Sequence, residues 1–229
     1  MSGMNKTSEK QDYRYYPAYS ILEASGYLNV PQSTVRYWSV GRRDQAGLLH
    51  VAQPSGPTLL SFINLVELHV LSGIRLKHGV SLPHIRSAMQ FVARKYDLKH
   101  PLVEQSFETD GIDLFVEKFG QLINVSREGQ IGITDILRSA LKRVERDDAG
   151  LPIRLFPYTR SIKDDSPSIV VIDPRLSGGR PTMANSGVAV QVIAERYKAG
   201  DSITALARDY DRTPEEIEEA IRAELYQAA

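Results

Sequence analysis

The chain has 229 residues, 42% hydrophobic and 24% charged, with 28 basic and 28 acidic side chains and no net charge. A chain of that size buries a core without covalent staples, and the composition is that of a water-soluble globular protein rather than a disordered one. There is no cysteine, which excludes disulfides, zinc ribbons, iron–sulfur ligation and thiol nucleophiles and makes the cytoplasm the expected compartment.

No apolar run approaches the roughly 18 to 20 residues of a membrane span. The opening MSGMNKTSEKQD lacks the apolar core of a signal peptide and reads as a mobile tail, residues 1–12. The neutrality is a sum over unlike parts. Residues 1–104 hold 12 Lys/Arg against 7 Asp/Glu, residues 105–160 hold 8 against 9, and residues 161–229 hold 8 against 12. A basic end suits phosphate, and an acidic end suits a basic surface.

In chain order, YSILEASGYL (19–28) spaces Ile21, Leu22, Ala24, Ser25 and Leu28 for a short amphipathic helix. Pro31 opens a second helix where its missing N–H costs nothing. That helix buries Val35 with Trp38 and leaves Gln32, Ser33, Arg36 and Tyr37 outward; Gly41 ends it. The runs LLHVA (48–52) and LLSF (59–62) around QPSGPT predict a β-hairpin, the wing of a winged helix. Helices are expected over 63–78 and, capped by Ser81, over 82–96.

The character changes at Gln105. SFETDGIDLFVE places two runs around Asp110-Gly111, a strong hairpin signal, and GQLINVS adds a third strand candidate. Thr134 is the expected cap of a helix over 135–146, and LPIRLFPY and SIVVID supply further strands. The last segment is helical. Helices are expected over 188–199, over 203–210 capped by Ser202, and from Pro214 to Glu224 behind the capping box Thr213-Pro214-Glu215-Glu216.

The fold class is therefore α+β, mainly α, in three parts. Residues 1–104 form a winged helix-turn-helix, 105–165 a small antiparallel sheet with one helix, and 166–229 a three-helix module. A helix beginning with small polar residues, followed by a wing, is the arrangement that enters a major groove. Gln32, Ser33, Thr34, Arg36 and Tyr37 are the candidates for base edges or phosphate, with Arg42 and Arg43 on phosphate. In the terminal module Glu215, Glu216, Glu218, Glu219 and Glu224 would face phosphates unfavourably, so that module is expected to meet protein rather than DNA. Gly178 and Gly179 lack the spacing of a phosphate loop and read as a tight turn.

The five histidines fall in residues 1–104 without HExxH or any paired-ligand motif, and are expected to be solvated or groove-facing. No GxSxG or Walker loop is present, and no enzymatic activity, metal or cofactor is expected.

YSILEASGYLNVPQSTVRYW resembles the opening of MerR-family transcription regulators, including the Thr-x-Arg-Tyr-Trp ending, with Val30-Pro31 where that family often has serine. IDPRLSGGRPTMANSGVAV (172–190), with AGDSITALARDY and the acidic helix after it, resembles an uncharacterised domain family of VapB-type antitoxins. Together the resemblances imply an antitoxin that silences a PIN-domain ribonuclease toxin, binds operator DNA to repress its own transcription, and works as a homodimer or larger toxin–antitoxin assembly without membrane association. Arg175, Arg180, Glu215 and Glu219 are the candidate partner contacts, with Arg175 or Arg180 reaching the toxin's acidic site. The residues alone leave open a free-standing regulator whose middle sheet senses a small ligand.

Overall fold

A computed structural model describes residues 12–51, 56–78, 82–104, 107–123, 127–160 and 166–227. Helix α1 (Ile21–Leu28) starts at a reciprocal capping box between Ser20 and Glu23 and ends at Asn29, which turns the chain through a left-handed conformation at φ 51°. Helix α2 (Gln32–Ser39) follows Pro31, which caps it without a side-chain hydrogen bond. Before α1, β1 (Tyr19–Ser20) pairs antiparallel with β4 (Leu59–Leu60).

Helix α3 (Phe62–His78) is central. From Phe62 to Ile74 it is buried on every side, polar residues included, as befits a helix without a solvent face. Ser61 and Asn64 cap it reciprocally through each other's backbone N–H. Helices α4 (Leu82–Tyr96), α5 (Ile112–Ile123) and α6 (Arg127–Leu141) pack in sequence, and α6 returns to α3. A chain of short antiparallel strands follows. β5 (Val144–Arg146) pairs with β6 (Pro152–Leu155), Leu155 bridges to Ile172, and β7 (Val170–Val171) pairs with β8 (Thr182–Met183).

The terminal module is α7 (Val190–Lys198), α8 (Ile203–Tyr210) and α9 (Pro214–Gln227). Its caps are the expected ones: Ser202 accepts from Ala205 N–H, while Thr213 and Glu216 exchange hydrogen bonds. One apolar cluster runs from Tyr19 to Ile172 and a second gathers Val170, Met183, Val190, Ile193, Leu206, Ile217 and Ile221. Val170 in β7 thus feeds the second core and Ile172, just past the strand, the first, and α9 lies against α1.

The mainly helical α+β class holds, but several local expectations do not. Leu48–Val51, the described part of LLHVA, is not a strand: β4 pairs with β1 instead, and the hairpin after α2 is the shorter β2 (Gly41–Arg42) with β3 (Gln45–Ala46). Around Asp110-Gly111 the chain is helical, a π-turn at Phe107–Gly111 leading into α5. The cause is packing: Gly111 sits where a Cβ would lie 2.8 Å from the Phe107 ring, and Phe115 stacks on Phe119 one turn on. Thr134 is not a cap; α6 starts earlier, at Arg127, and the Thr134 hydroxyl bonds back to Gln130. Val144–Arg146 is strand rather than the end of a helix. The expectations for residues 1–11, for Ser81 and for part of the QPSGPT turn lie outside the described residues. Among the described residues no helix is long and apolar enough to cross a membrane.

Candidate nucleic-acid interface

The first and second helices are locked by short local bonds. Ser25 Oγ donates to the Val30 carbonyl at 2.7 Å, while Thr34 and Val35 N–H both reach the Pro31 carbonyl. Val35 and Trp38 are buried at 0% and 1% exposure, so the face that carries Gln32, Ser33 and Arg36 is fixed outward. Thr34 is half-buried. Gln32, Ser33 and Arg36 stand one to four residues apart along a rigid helix, the arrangement that presents amide, hydroxyl and guanidinium groups to base edges.

Tyr37 is more than an outward side chain. Its hydroxyl donates to Gln45 Oε1 at 2.8 Å, and the Arg42 guanidinium lies over its ring at 4.7 Å. The ring thereby ties the hairpin β2–β3 to α2, with a cation–π contact as the second tie. Gly41, at φ 92°, makes the hairpin possible, because a Cβ there would fall 2.0 Å from the Gln45 carbonyl oxygen. Arg42 and Arg43 are exposed. From Gln32 to Gly47 the only acid is Asp44, so the surface is positive. Sequence reasoning missed Gln45, although the glycines at 41 and 47 framed it, and also Arg86, which reaches the hairpin from α4 with no local signal.

The partner-contact candidates separate into free and committed groups. Arg175 is committed: its guanidinium and backbone N–H bond Asp173, which also receives Arg154 at 3.1 Å. Burial alone would raise the Asp173 pKa, but these hydrogen bonds outweigh it and hold the carboxyl below its ordinary value. Glu219 is buried at 1% exposure and receives Arg160 at 2.6 and 2.9 Å, with the Thr159 hydroxyl also donating to it. The sequence pattern set it on an exposed acidic face; the structure makes it an internal counterion. Arg180 and Glu215 are exposed, and among the described residues no carboxylate pairs with Arg180.

Gly178 and Gly179 form the expected tight turn, at φ 65° and 80°, and a Cβ on Gly179 would lie 2.3 Å from the Tyr19 hydroxyl. The histidine expectation fails at two positions. His69 is buried against Tyr158, with burial first and Arg143 second driving its pKa down to about 3. His100 is also buried, its Nδ1 3.1 Å from Glu67. Among the described residues no group of three or more histidines or carboxylates is placed to hold a metal.

Comparison with known proteins relates the chain to several others. Residues 170–222 match the family model described as "Protein of unknown function (DUF433)". A Mycobacterium tuberculosis protein described as "Putative antitoxin VapB45" is 30% identical, with 90% of this chain and 93% of that protein covered. "Uncharacterized protein Rv2308" from the same organism is 23% identical over 89% of this chain and 88% of its own length. The crystal structure of Rv2018, also from Mycobacterium tuberculosis, superposes with a TM-score of 0.70 at 25% identity, covering 90% of this chain and 98% of that one.

Proposed function

The chain belongs to the same family as the mycobacterial VapB45 relative, and from that premise we propose that it is an antitoxin whose α2 and β2–β3 hairpin hold operator DNA. The observation that carries the DNA reading is the rigid outward face of Gln32, Ser33 and Arg36 beside a hairpin that exposes Arg42 and Arg43. Direct readout by α2 and phosphate anchoring by the hairpin would repress the chain's own transcription unit. The partner is a ribonuclease of the PIN-domain class, whose magnesium-binding carboxylates would attract an unpaired cation. Arg180 is the candidate for that contact in preference to Arg175, whose charge is already taken up by Asp173. Glu215, also exposed, is the acidic candidate for basic groups of the toxin. The assembly is a homodimer or a larger toxin–antitoxin complex, with no enzymatic step of its own.

Coexpression with the adjacent reading frame, followed by copurification, tests the antitoxin half. A small nuclease partner, inhibited in the complex and released by Arg180→Glu, is the expected result; no copurifying partner would end this reading. Binding to DNA upstream of the gene tests the other half, with affinity expected to fall steeply as salt rises.

A free-standing regulator sensing a small ligand has one observation in its favour. A groove of about 440 Å³, lined among others by Arg154, Phe156, Val171, Leu176 and Met183, opens beside the strands β6, β7 and β8, within the volume range of ligand sites. If that reading is right, a small-molecule screen by thermal shift finds a ligand that changes DNA affinity.

A further inference from the structure

The hairpin that carries Arg42 and Arg43 is too short to hold its own shape. β2 and β3 pair over two residues each, and an isolated ribbon of two strands is marginal in water even when longer. Tyr37 grips it from α2 through Gln45. Arg86 grips it from α4: Nη1 donates to the Gly47 carbonyl at 3.0 Å and Nη2 to the Ala46 carbonyl at 2.7 Å. The chain passes so close to α2 here that a Cβ on Gly47 would lie 2.2 Å from the Ser39 carbonyl oxygen. The hairpin base is therefore pinned between two helices.

Two features set Arg86 apart from a packing residue. It forks across two consecutive carbonyls, which fixes the strand's tilt as well as its position, a geometry the point charge of lysine does not reproduce. Carbonyls carry no formal charge, and among the described residues no carboxylate pairs with Arg86. Its charge therefore remains to add to the field of Arg36, Arg42 and Arg43.

We propose that Arg86 is a positioning residue of the DNA interface: from α4 it sets the phosphate contacts of Arg42 and Arg43 without touching DNA itself. This rests on the reading that α2 and the hairpin contact DNA. It also makes the placement of α4, and of α5 packed against it, a determinant of affinity.

The test is the salt dependence of binding to a duplex from upstream of the gene. Fluorescence anisotropy on the full chain would compare wild type with Arg36→Ala, Arg42→Ala, Arg86→Met, Arg86→Lys and the double variant Arg42→Ala/Arg86→Met. Arg86→Met is expected to lose about tenfold in affinity and to flatten the salt slope by about 1 for each phosphate contact released. In the Arg42→Ala background the same substitution should cost clearly less, and Arg86→Lys should recover only part of the loss. Should Arg86→Met fail to fold, Arg86→Lys decides: unchanged thermal melting with reduced affinity supports the proposal. If Arg42→Ala flattens the slope and Arg86→Met does not, the proposal is overturned while the DNA reading stands. If Arg86→Lys equals wild type, charge alone accounts for the effect and positioning is overturned. If Arg36→Ala and Arg42→Ala both leave binding unchanged, the DNA reading falls and takes the proposal with it.

Discussion

Arg36 and His69 show how differently two polar side chains on neighbouring helices are used. Arg36 is exposed on α2, so its removal costs the fold little. If it reads a base, Arg36→Ala should weaken operator binding by about 1 to 3 kcal/mol and relax specificity at one position, measured by competition with single-base operator variants. His69 has no such freedom. Its folded pKa near 3 lies below the ordinary value of 6.5, so the unfolded chain binds a proton that the native one refuses. Stability should be fully present above about pH 6.5 and fall by about 1.4 kcal/mol per pH unit as pH drops toward 3. His69→Gln should flatten that slope by about one proton in urea titrations between pH 4 and 6. An unchanged slope would place the titration elsewhere.

At the scale of elements, two of the contacts that join the terminal module to the rest can be tested singly. Glu219 on α9 neutralises Arg160 on the preceding connection. Burial acts to raise its pKa, but the Arg160 and Thr159 hydrogen bonds win and hold it lowered. The stabilisation is therefore present above the unfolded carboxyl pKa and lost as pH falls through the folded one. Glu219→Gln should cost about 1 to 3 kcal/mol at pH 7 and much less at pH 3, compared by denaturant melts. Gly179→Ala meets both a positive φ and the Tyr19 hydroxyl, and should cost at least about 1 to 3 kcal/mol. Gly178→Ala, with open space around it, should cost less in the same melts.

These elements also mark how far local pattern could be read. α8 and α9 were legible because their starts are written in nearby residues, Ser202 with Ala205 and Thr213 with Glu216; α1 was legible from its apolar spacing, while its Ser20–Glu23 cap was not read. Asp110-Gly111 misled because the same dipeptide serves a hairpin or a helix entrance, and only the ring of Phe107 decides between them. The fours in Phe107, Gly111, Phe115 and Phe119 carried the helical period. Glu219 looked exposed because its partners Thr159 and Arg160 are 60 and 59 residues away. Arg86 was invisible for the same reason, 39 residues from the carbonyl it holds.

For the whole molecule, the question is whether the two apolar clusters act as one. Val170 belongs to the terminal cluster and Ile172 to the larger one, and α9 rests on α1. Trp38, the single tryptophan, reports on the N-terminal part, while helical ellipticity reports on all three parts. Thermal unfolding followed by both probes should coincide, the signature of one cooperative unit; a tryptophan transition separated by several degrees would show independent units. The charge asymmetry fits the same picture. The basic excess lies in residues 1–104, the segment that carries the DNA candidates, and the acidic excess in the final segment, where a protein partner is proposed.

The seat of Tyr19 on Gly179 has a consequence in time. The two residues are separated by about 160 positions, and a ribosome adds roughly 5 to 20 residues each second. The strand that leads into α1 and α2 therefore leaves the ribosome about 8 to 30 seconds before the turn that will cover it has been made. During that interval a nascent chain has Tyr19 but not the Gly179 turn that seats it. On the proposed function, DNA binding would then await synthesis of the segment proposed to hold the toxin.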